Sequence, residues 1–318
     1  MGDSTCLALP ENREKTLQAS RQSFLKGTHL AADEPQQAKE RPHMARRGPA
    51  ASGVPIRIVK LGGSVITDKS RSEPVLRRAE LERLAREVAS AEGETIVLHG
   101  AGSYGHPGAK KYGLREGIST DEGRKGAAAV RATVADLNRE VIGALLAAGA
   151  SPWALPPSSV AFMREGNLKR IDWELFDAAL GRGFLPVSHG DVVLDDIIGV
   201  SILSADEIAI ALARHLHPSL VVFAVNVDGI FDRDPAQAGA RLIQKLKASD
   251  KVAIGAGSAS GDDVTGAMAA KLKAAQSIAF GGARVLIVNG LKPGRVADAL
   301  AGKDVTGTEV VPPGVVAR

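Results

Sequence analysis

The sequence predicts an α/β fold, a three-layer αβα sandwich with a mostly parallel central sheet. Three observations predict it. From residue 55 onward, short apolar runs of strand length alternate with longer helical stretches. Several of those runs end in glycine, and loops at the carboxyl ends of parallel strands are where ligands bind. The chain is 44% apolar but only 3% aromatic, so its core must be built from Ala, Val, Ile and Leu.

Residues 1–54 stand apart. They are rich in Gln, Glu, Lys, Ala and Pro and lack sustained periodicity, so a disordered N-terminal extension is expected. Met44-Ala-Arg-Arg-Gly leads almost directly into the first strand, which makes Met44 an alternative start. A transit peptide is disfavoured by the acids of this segment. One domain is then expected over 55–318. Ile56–Leu61 reads as a buried strand ending in Gly62-Gly63-Ser64. Residues 75–92 read as a helix and Thr95–His99 as a second strand. Residues 120–149 form a long Ala-rich helix closed by Gly149. Phe184–Ser188 and Leu220–Val225 are further strands, with a helix over 203–215 between them. A hairpin is expected near 162–171, a helix over 266–281 and a strand at Val285–Asn289. No internal repeat is present.

Charge and motif content exclude several classes. The net charge of +4 is spread out, with eight Lys/Arg against six Asp/Glu in residues 1–54, and no basic residues interleave with aromatics. A nucleic-acid partner is not expected. The single cysteine, Cys6, permits no internal disulfide and fits a reducing compartment. No apolar run approaches the roughly 18–20 residues of a membrane helix, and the N-terminus carries no signal-type apolar block. A soluble, cytoplasmic protein without membrane contact is expected. There is no G-x-x-x-x-G-K-[ST] loop, no protein-kinase H-R-D or D-F-G set, no His/Cys cluster with metal-ligand spacing and no G-x-S-x-G elbow.

Five segments carry candidate chemistry. In Lys60-Leu-Gly62-Gly63-Ser64, two glycines after a strand let backbone N–H groups approach phosphate oxygens, and Lys60 could bridge phosphates. An ordinary glycine turn with a solvated lysine is the competing reading. In His99-Gly-Ala101-Gly102-Ser-Tyr-Gly-His106, Gly100, Gly102 and Gly105 match the dinucleotide fingerprint G-x-G-x-x-G. The acid that fingerprint needs about twenty residues on would be Asp121, which opens a helix instead. A phosphate cradle with His106 as donor is the alternative, and a structural histidine is the third. In Ser201-Ile-Leu-Ser-Ala-Asp206-Glu207, Ser204 suits an N-cap with acids in the first turn. Asp206 is equally placed to hold lysines in register. In Val225-Asn-Val-Asp228-Gly, a strand exit could grip a nucleotide. In Asp263-Val-Thr-Gly266, a helix start offers free N–H groups, with Lys271 just over a turn inside.

Taken in this order, the segments resemble the amino-acid-kinase superfamily over about residues 56–311. Two features are similar to its isopentenyl phosphate kinase family: Lys60-Leu-Gly-Gly-Ser-Val-Ile-Thr-Asp-Lys69, with its second lysine, and the loop histidine His106. Ser188-His-Gly190-Asp191 matches that family's Ser-x-Gly-Asp segment. The resemblance implies transfer of the γ-phosphoryl of ATP, with Mg²⁺, to isopentenyl phosphate, giving isopentenyl diphosphate for isoprenoid synthesis. It implies an acceptor-binding part over about 55–200, an ATP-binding part over about 201–318, and a homodimer. Lys60, Lys69 and Lys271 would contact ATP phosphates, and Gly62, Gly63, Ser64, Gly102, Asp228 and Gly266 would belong to the ATP side. His106, with Ala101 and Gly190, would hold the acceptor, and Asp206 would orient Lys60 and Lys271. No residue is assigned as a metal ligand.

There are departures. The loop reads Gly-Ala-Gly where that family usually has three glycines, which is tolerable only if the φ of Ala101 is negative. The nucleotide turn reads Val225-Asn226 where many members have Thr-Asp. Fosfomycin kinase, or another small phosphate or phosphonate kinase of this fold, is the nearest alternative. UMP kinase is disfavoured because it lacks an equivalent of His106. A non-catalytic nucleotide or oxyanion store is an alternative of another class, and three candidate lysines argue against it.

Overall fold

In the computed structural model, residues 54–68, 73–252 and 264–314 are described, with side chains from 268 in the last segment. The expected N-terminal extension, Val54 apart, lies outside them, and so does Lys69. Strand β1 (Ile56–Leu61) runs into one helical turn, α1 (Gly63–Ile66), and a short hairpin of β2 (Thr67–Asp68) and β3 (Val75–Leu76). Helix α2 (Arg78–Ala89) returns to β4 (Glu94–His99). A 3-10 turn (Gly102–Tyr104) and α3 (His106–Lys111) precede the long helix α4 (Asp121–Ala147) and β5 (Pro152–Ala154). Then come α5 (Pro157–Val160), β6 (Ala161–Arg164), β7 (Asn167–Ile171), α6 (Trp173–Leu180), β8 (Leu185–His189), β9 (Asp191–Asp195) and β10 (Gly199–Leu203). The last part holds α7 (Ala205–Leu216), β11 (Leu220–Val225), β12 (Lys245–Lys247), α8 (Val264–Phe280), β13 (Arg284–Asn289), α9 (Arg295–Leu300) and β14 (Gly307–Val311).

The main sheet has the order β12-β14-β13-β11-β1-β4-β8-β5, and only the β13–β14 pair is antiparallel. Alternation along each strand divides its side chains between two cores. Ile58, Ile96, Phe223 and Ile287 face Ile208 and Leu212 of α7 and Ala275 and Ile278 of α8. Val59, Val97, Val222 and Leu286 face Leu84 of α2, Leu137 and Val141 of α4 and Val296 of α9. Helices therefore cover both faces, and the three-layer arrangement follows from period-two strands that are apolar on both sides.

Local chemistry explains most boundaries. Helix α4 starts where the Thr120 hydroxyl accepts from the Gly123 N–H, with Asp121 and Glu122 in its first turn. It closes before Gly149, whose φ of +87° suits glycine. The helix expected from 75 begins only at Arg78, because Val75 and Leu76 pair with Asp68 and Thr67. The helix expected from 203 begins at Ala205, because β10 takes residues 199–203 into a second sheet, β10-β9-β6-β7. The expected hairpin is present as β6 and β7, turned by Glu165 and Gly166, both at positive φ as a two-residue hairpin requires. Asp195 ties that turn to the β9–β10 turn. Its carboxylate accepts from the N–H groups of Glu165, Gly166, Ile197 and Ile198 and from the Ser201 hydroxyl.

Helix α4 also receives the chain after the glycine loop. A methyl at Gly126 would fall 2.3 Å from the Tyr112 ring, and one at Gly108 would fall 2.6 Å from Val130 Cγ2. Gly126→Ala is therefore expected to cost about 1–3 kcal/mol through displacement of the ring. Urea unfolding checks this, and an unchanged midpoint would show that the ring has room to move.

Candidate active site

Lys60 follows Ile56 and Ile58 on the same face of β1, where alternation alone would place another apolar residue. Its side chain is only 5% exposed, and Nζ lies 5.9 Å from the centroid of the Phe223 ring. A buried ammonium is costly unless paired. Asp206 supplies the pair, with Oδ1 2.8 Å from Nζ. Asp206 is held by the start of α7. Ser204 caps that helix, accepting from the Glu207 N–H at 3.2 Å while Glu207 accepts from the Ser204 N–H at 2.9 Å. Ser204-Ala-Asp206-Glu207 thus caps a helix, and that cap sets the acid against Lys60. Burial pushes the Asp206 carboxyl up, but Lys60 and then Lys271 outweigh it and hold the group below its ordinary value. Two cations against one anion leave this spot net positive, as a phosphoryl group in transfer requires.

The two glycine segments meet beside this pair. Hydrogen bonding continues one residue past each strand: the Gly62 N–H donates to the Ala224 carbonyl and the Gly100 N–H to the Leu61 carbonyl, both at 2.9 Å. A methyl on Gly63 would lie 2.5 Å from the Gly102 nitrogen, and one on Gly100 2.8 Å from the Gly63 nitrogen. Backbone therefore packs on backbone, which only glycine permits. Gly102 has a φ of +52°. Ala101 has a φ of −70°, so the methyl where that family usually has glycine causes no strain. Thr67 joins the two corners, donating to the Gly63 carbonyl at 2.7 Å and accepting from the Ser103 N–H at 3.0 Å. Gly63 and Ser64 open the single turn α1, so their N–H groups have no acceptor within that turn.

The remaining candidates come from other segments. Gly190 follows β8, and a methyl there would lie 3.4 Å from the Ala205 nitrogen and 3.9 Å from that of Ala101. His106 is exposed at the start of α3, one residue beyond Gly105, whose missing side chain makes room for the Ala101 methyl. Lys271 lies on α8, and Gly266 falls near that helix's start. Asp228 has partners of its own. Asn289 donates to its Oδ1 at 3.1 Å and Arg295 forms an ion pair with it. Burial pushes that carboxyl up, and these two donors outweigh it and hold it low. Arg295 opens α9, whose first N–H groups are capped from α2 by Glu87, which accepts from Gly294, Val296 and Ala297.

Sequence reasoning missed Thr67, Asn289 and Arg295 as partners of the candidate residues. Thr67 stands inside Val65-Ile-Thr-Asp68, and its spacing of four from Gly63 was the available signal. Nothing local marks Asn289 or Arg295. Among the described residues, no three His, Cys, Asp or Glu side chains gather to hold a metal ion, and no helix is long and apolar enough to cross a membrane.

Comparison with known proteins bears on the whole arrangement. The amino acid kinase family matches residues 55–289. An isopentenyl phosphate kinase of Methanothermobacter thermautotrophicus is 35% identical over 261 residues, which cover 80% of this chain and 98% of that one. One of Methanocaldococcus jannaschii is 30% identical, covering 80% and 97%. A crystal structure of an isopentenyl phosphate kinase superposes with a TM-score of 0.71 at 34% identity, covering 80% of this chain and all of the other.

Proposed function

The chain belongs to the amino acid kinase family, and from that premise we propose that it is an isopentenyl phosphate kinase, transferring the γ-phosphoryl group of ATP to isopentenyl phosphate. The observation that carries the reading is the buried Lys60–Asp206 pair set beside two interlocked glycine corners. Storage of an oxyanion does not require a fixed cation held in register at a buried position, whereas phosphoryl transfer does.

In this reading an oxygen of the acceptor phosphate attacks the γ-phosphorus in line. The new P–O bond forms as the bond to the bridging β–γ oxygen breaks, giving isopentenyl diphosphate and ADP. The attacking oxygen is already anionic, so no general base is needed. Lys60, Lys271 and Lys69 neutralise charge on the phosphates, with Lys69 lying outside the described residues. Asp206 orients Lys60 and Lys271. The N–H groups of Gly63, Ser64 and Gly102 cradle the travelling group, Gly62 fixes their corner because its own N–H is held by the Ala224 carbonyl, and Asp228 and Gly266 serve the ATP side. His106, Ala101 and Gly190 serve the acceptor. Residues 55–200 would then hold the acceptor and 201–318 the nucleotide. Mg²⁺ would accompany the nucleotide and supply further positive charge at its phosphates, and no residue of this chain is assigned to it. A cytoplasmic homodimer completes the proposal, and light scattering at about twice the 33.0 kDa chain mass checks the dimer.

A coupled assay with isopentenyl phosphate, dimethylallyl phosphate, fosfomycin and UMP side by side tests the activity. Turnover of fosfomycin without isopentenyl phosphate would move the chain to the nearest alternative, and no turnover of any acceptor would favour a binding protein. His106→Ala is expected to raise KM for isopentenyl phosphate by about tenfold or more, the loss of one charge-assisted hydrogen bond. ATP affinity should stay nearly unchanged, and an equal fall in both would remove His106 from the acceptor side.

A further inference from the structure

Strands β4 and β8 end alike, in His99-Gly100 and His189-Gly190. Their register pairs His99 with His189, and the two buried rings stack with centroids 5.0 Å apart and planes at 26°. Each ring reaches the carbonyl of the glycine after it: His99 Nδ1 lies 3.3 Å from the Gly100 oxygen, and His189 Nδ1 lies 3.1 Å from the Gly190 oxygen. The Gly190 N–H donates to the His99 carbonyl at 3.0 Å, so the two corners are also joined through backbone. On its far side, His99 Nε2 lies 3.1 Å from Asn138 Oδ1 on α4. Burial and the neighbouring His189 push His99 down to about 3, and burial pushes His189 down to about 4, so both rings are neutral near pH 7.

A trans peptide sets its C=O and N–H on opposite sides. Drawing the Gly100 carbonyl toward the buried rings therefore turns the Ala101 N–H away from them. The Ala101 nitrogen lies near Gly190, which also approaches the first residue of α7, the helix that carries Asp206. The proposed mechanism uses this stretch of backbone, and it leaves both histidines without a role.

We propose that His99, braced by the stacked His189, is a positioning residue for phosphoryl transfer: its Nδ1–H holds the Gly100 carbonyl so that the Ala101 N–H faces the reacting phosphates. This rests on the functional reading above. A neutral ring carries one N–H, so the assignment gives Nε2 the acceptor role and requires the Asn138 amide turned over, its NH₂ in the place of Oδ1. The imidazole contacts neither substrate and stays neutral through the cycle. Its effect is on where one backbone donor points.

The test separates the two ring nitrogens. His99→Asn retains a donor where Nδ1 stands, His99→Gln retains a group where Nε2 stands, and His99→Leu retains neither. Asn and Gln each lose the ring stack and one hydrogen bond, so their thermal midpoints should fall by similar amounts. The expected result is kcat within about threefold of wild type for His99→Asn, and about 10- to 100-fold lower for His99→Gln and His99→Leu, the scale of a small misplacement at a reacting centre. KM for isopentenyl phosphate should stay within about threefold throughout, because the donor acts mainly in the transition state. Equal loss of kcat in the Asn and Gln variants, or kcat that tracks the thermal midpoint, would overturn the proposal while leaving wild-type activity as its own evidence for the kinase. Absence of wild-type turnover with isopentenyl phosphate would overturn both. If His99→Leu does not fold, the Asn–Gln comparison decides alone.

Discussion

Lys60→Met is expected to lower kcat by about a hundred- to a thousandfold, the effect of deleting one preorganised charge from a developing oxyanion. Met keeps the volume of the stem that lies over Phe223, so the apolar packing survives and only the ammonium is lost. The substitution also leaves Asp206, 19% exposed, without its 2.8 Å partner. That should destabilise the fold by about 2–3 kcal/mol, toward the low end for a broken buried pair because solvent reaches the carboxylate. Adding Asp206→Asn should restore most of the stability and none of the turnover. The double-mutant cycle thereby separates the structural from the chemical contribution of one ion pair. Asp206→Asn alone should act through pH as well. The folded carboxyl lies below its ordinary 3.8, so its stabilising contribution is fully present above that value and is lost as pH falls through the folded value. The stability difference between wild type and Asp206→Asn should accordingly be flat near neutrality and shrink in acid. Retention of more than about a tenth of wild-type kcat in Lys60→Met would reduce the pair to a core ion pair.

Gly63→Ala and Gly102→Ala are expected to abolish most turnover, with losses of about a hundredfold or more, because each forces apart the corners proposed to cradle the phosphates. The Gly63 methyl would meet the Gly102 nitrogen at 2.5 Å, and the Gly102 methyl would meet Thr67 Oγ1 at 2.1 Å and the Gly63 carbonyl at 2.9 Å. These neighbours are mostly backbone and cannot rotate away. Gly102→Ala adds about 1–3 kcal/mol of conformational strain from its φ of +52°. Gly302 is the control. It has a φ of +75° but open space around it, so Gly302→Ala should cost stability through strain and leave turnover intact. Steady-state kinetics with denaturant midpoints on the three variants checks the distinction. Turnover that falls equally in Gly302→Ala would mean that backbone strain, rather than the interlocked corners, governs activity.

Much of this site was legible in the chain itself. Lys60-Leu-Gly-Gly and His99-Gly-Ala-Gly announce glycine corners after strands, and the two do close on each other. Ser204-Ala-Asp206-Glu207 announces a helix cap, and the cap is present. These are local signals: a glycine, a cap or a period of two works within a few residues. The misjudged boundaries at 75 and 203 have a different origin. Val75-Leu76 and β10 are strands because of what they pair with, and helical propensity there is overridden by partners elsewhere.

The sequence by itself therefore determined the alternating elements, the glycine corners and the residue types that line them, because each depends on local conformation and side-chain chemistry. Only the tertiary structure decided that Lys60 meets Asp206, that Asp228 is held by Asn289 and Arg295, and that His99 stacks on His189. Those contacts depend on strand order and register. Both are set by how crossover helices bury two cores at once, and no periodicity within one segment encodes them.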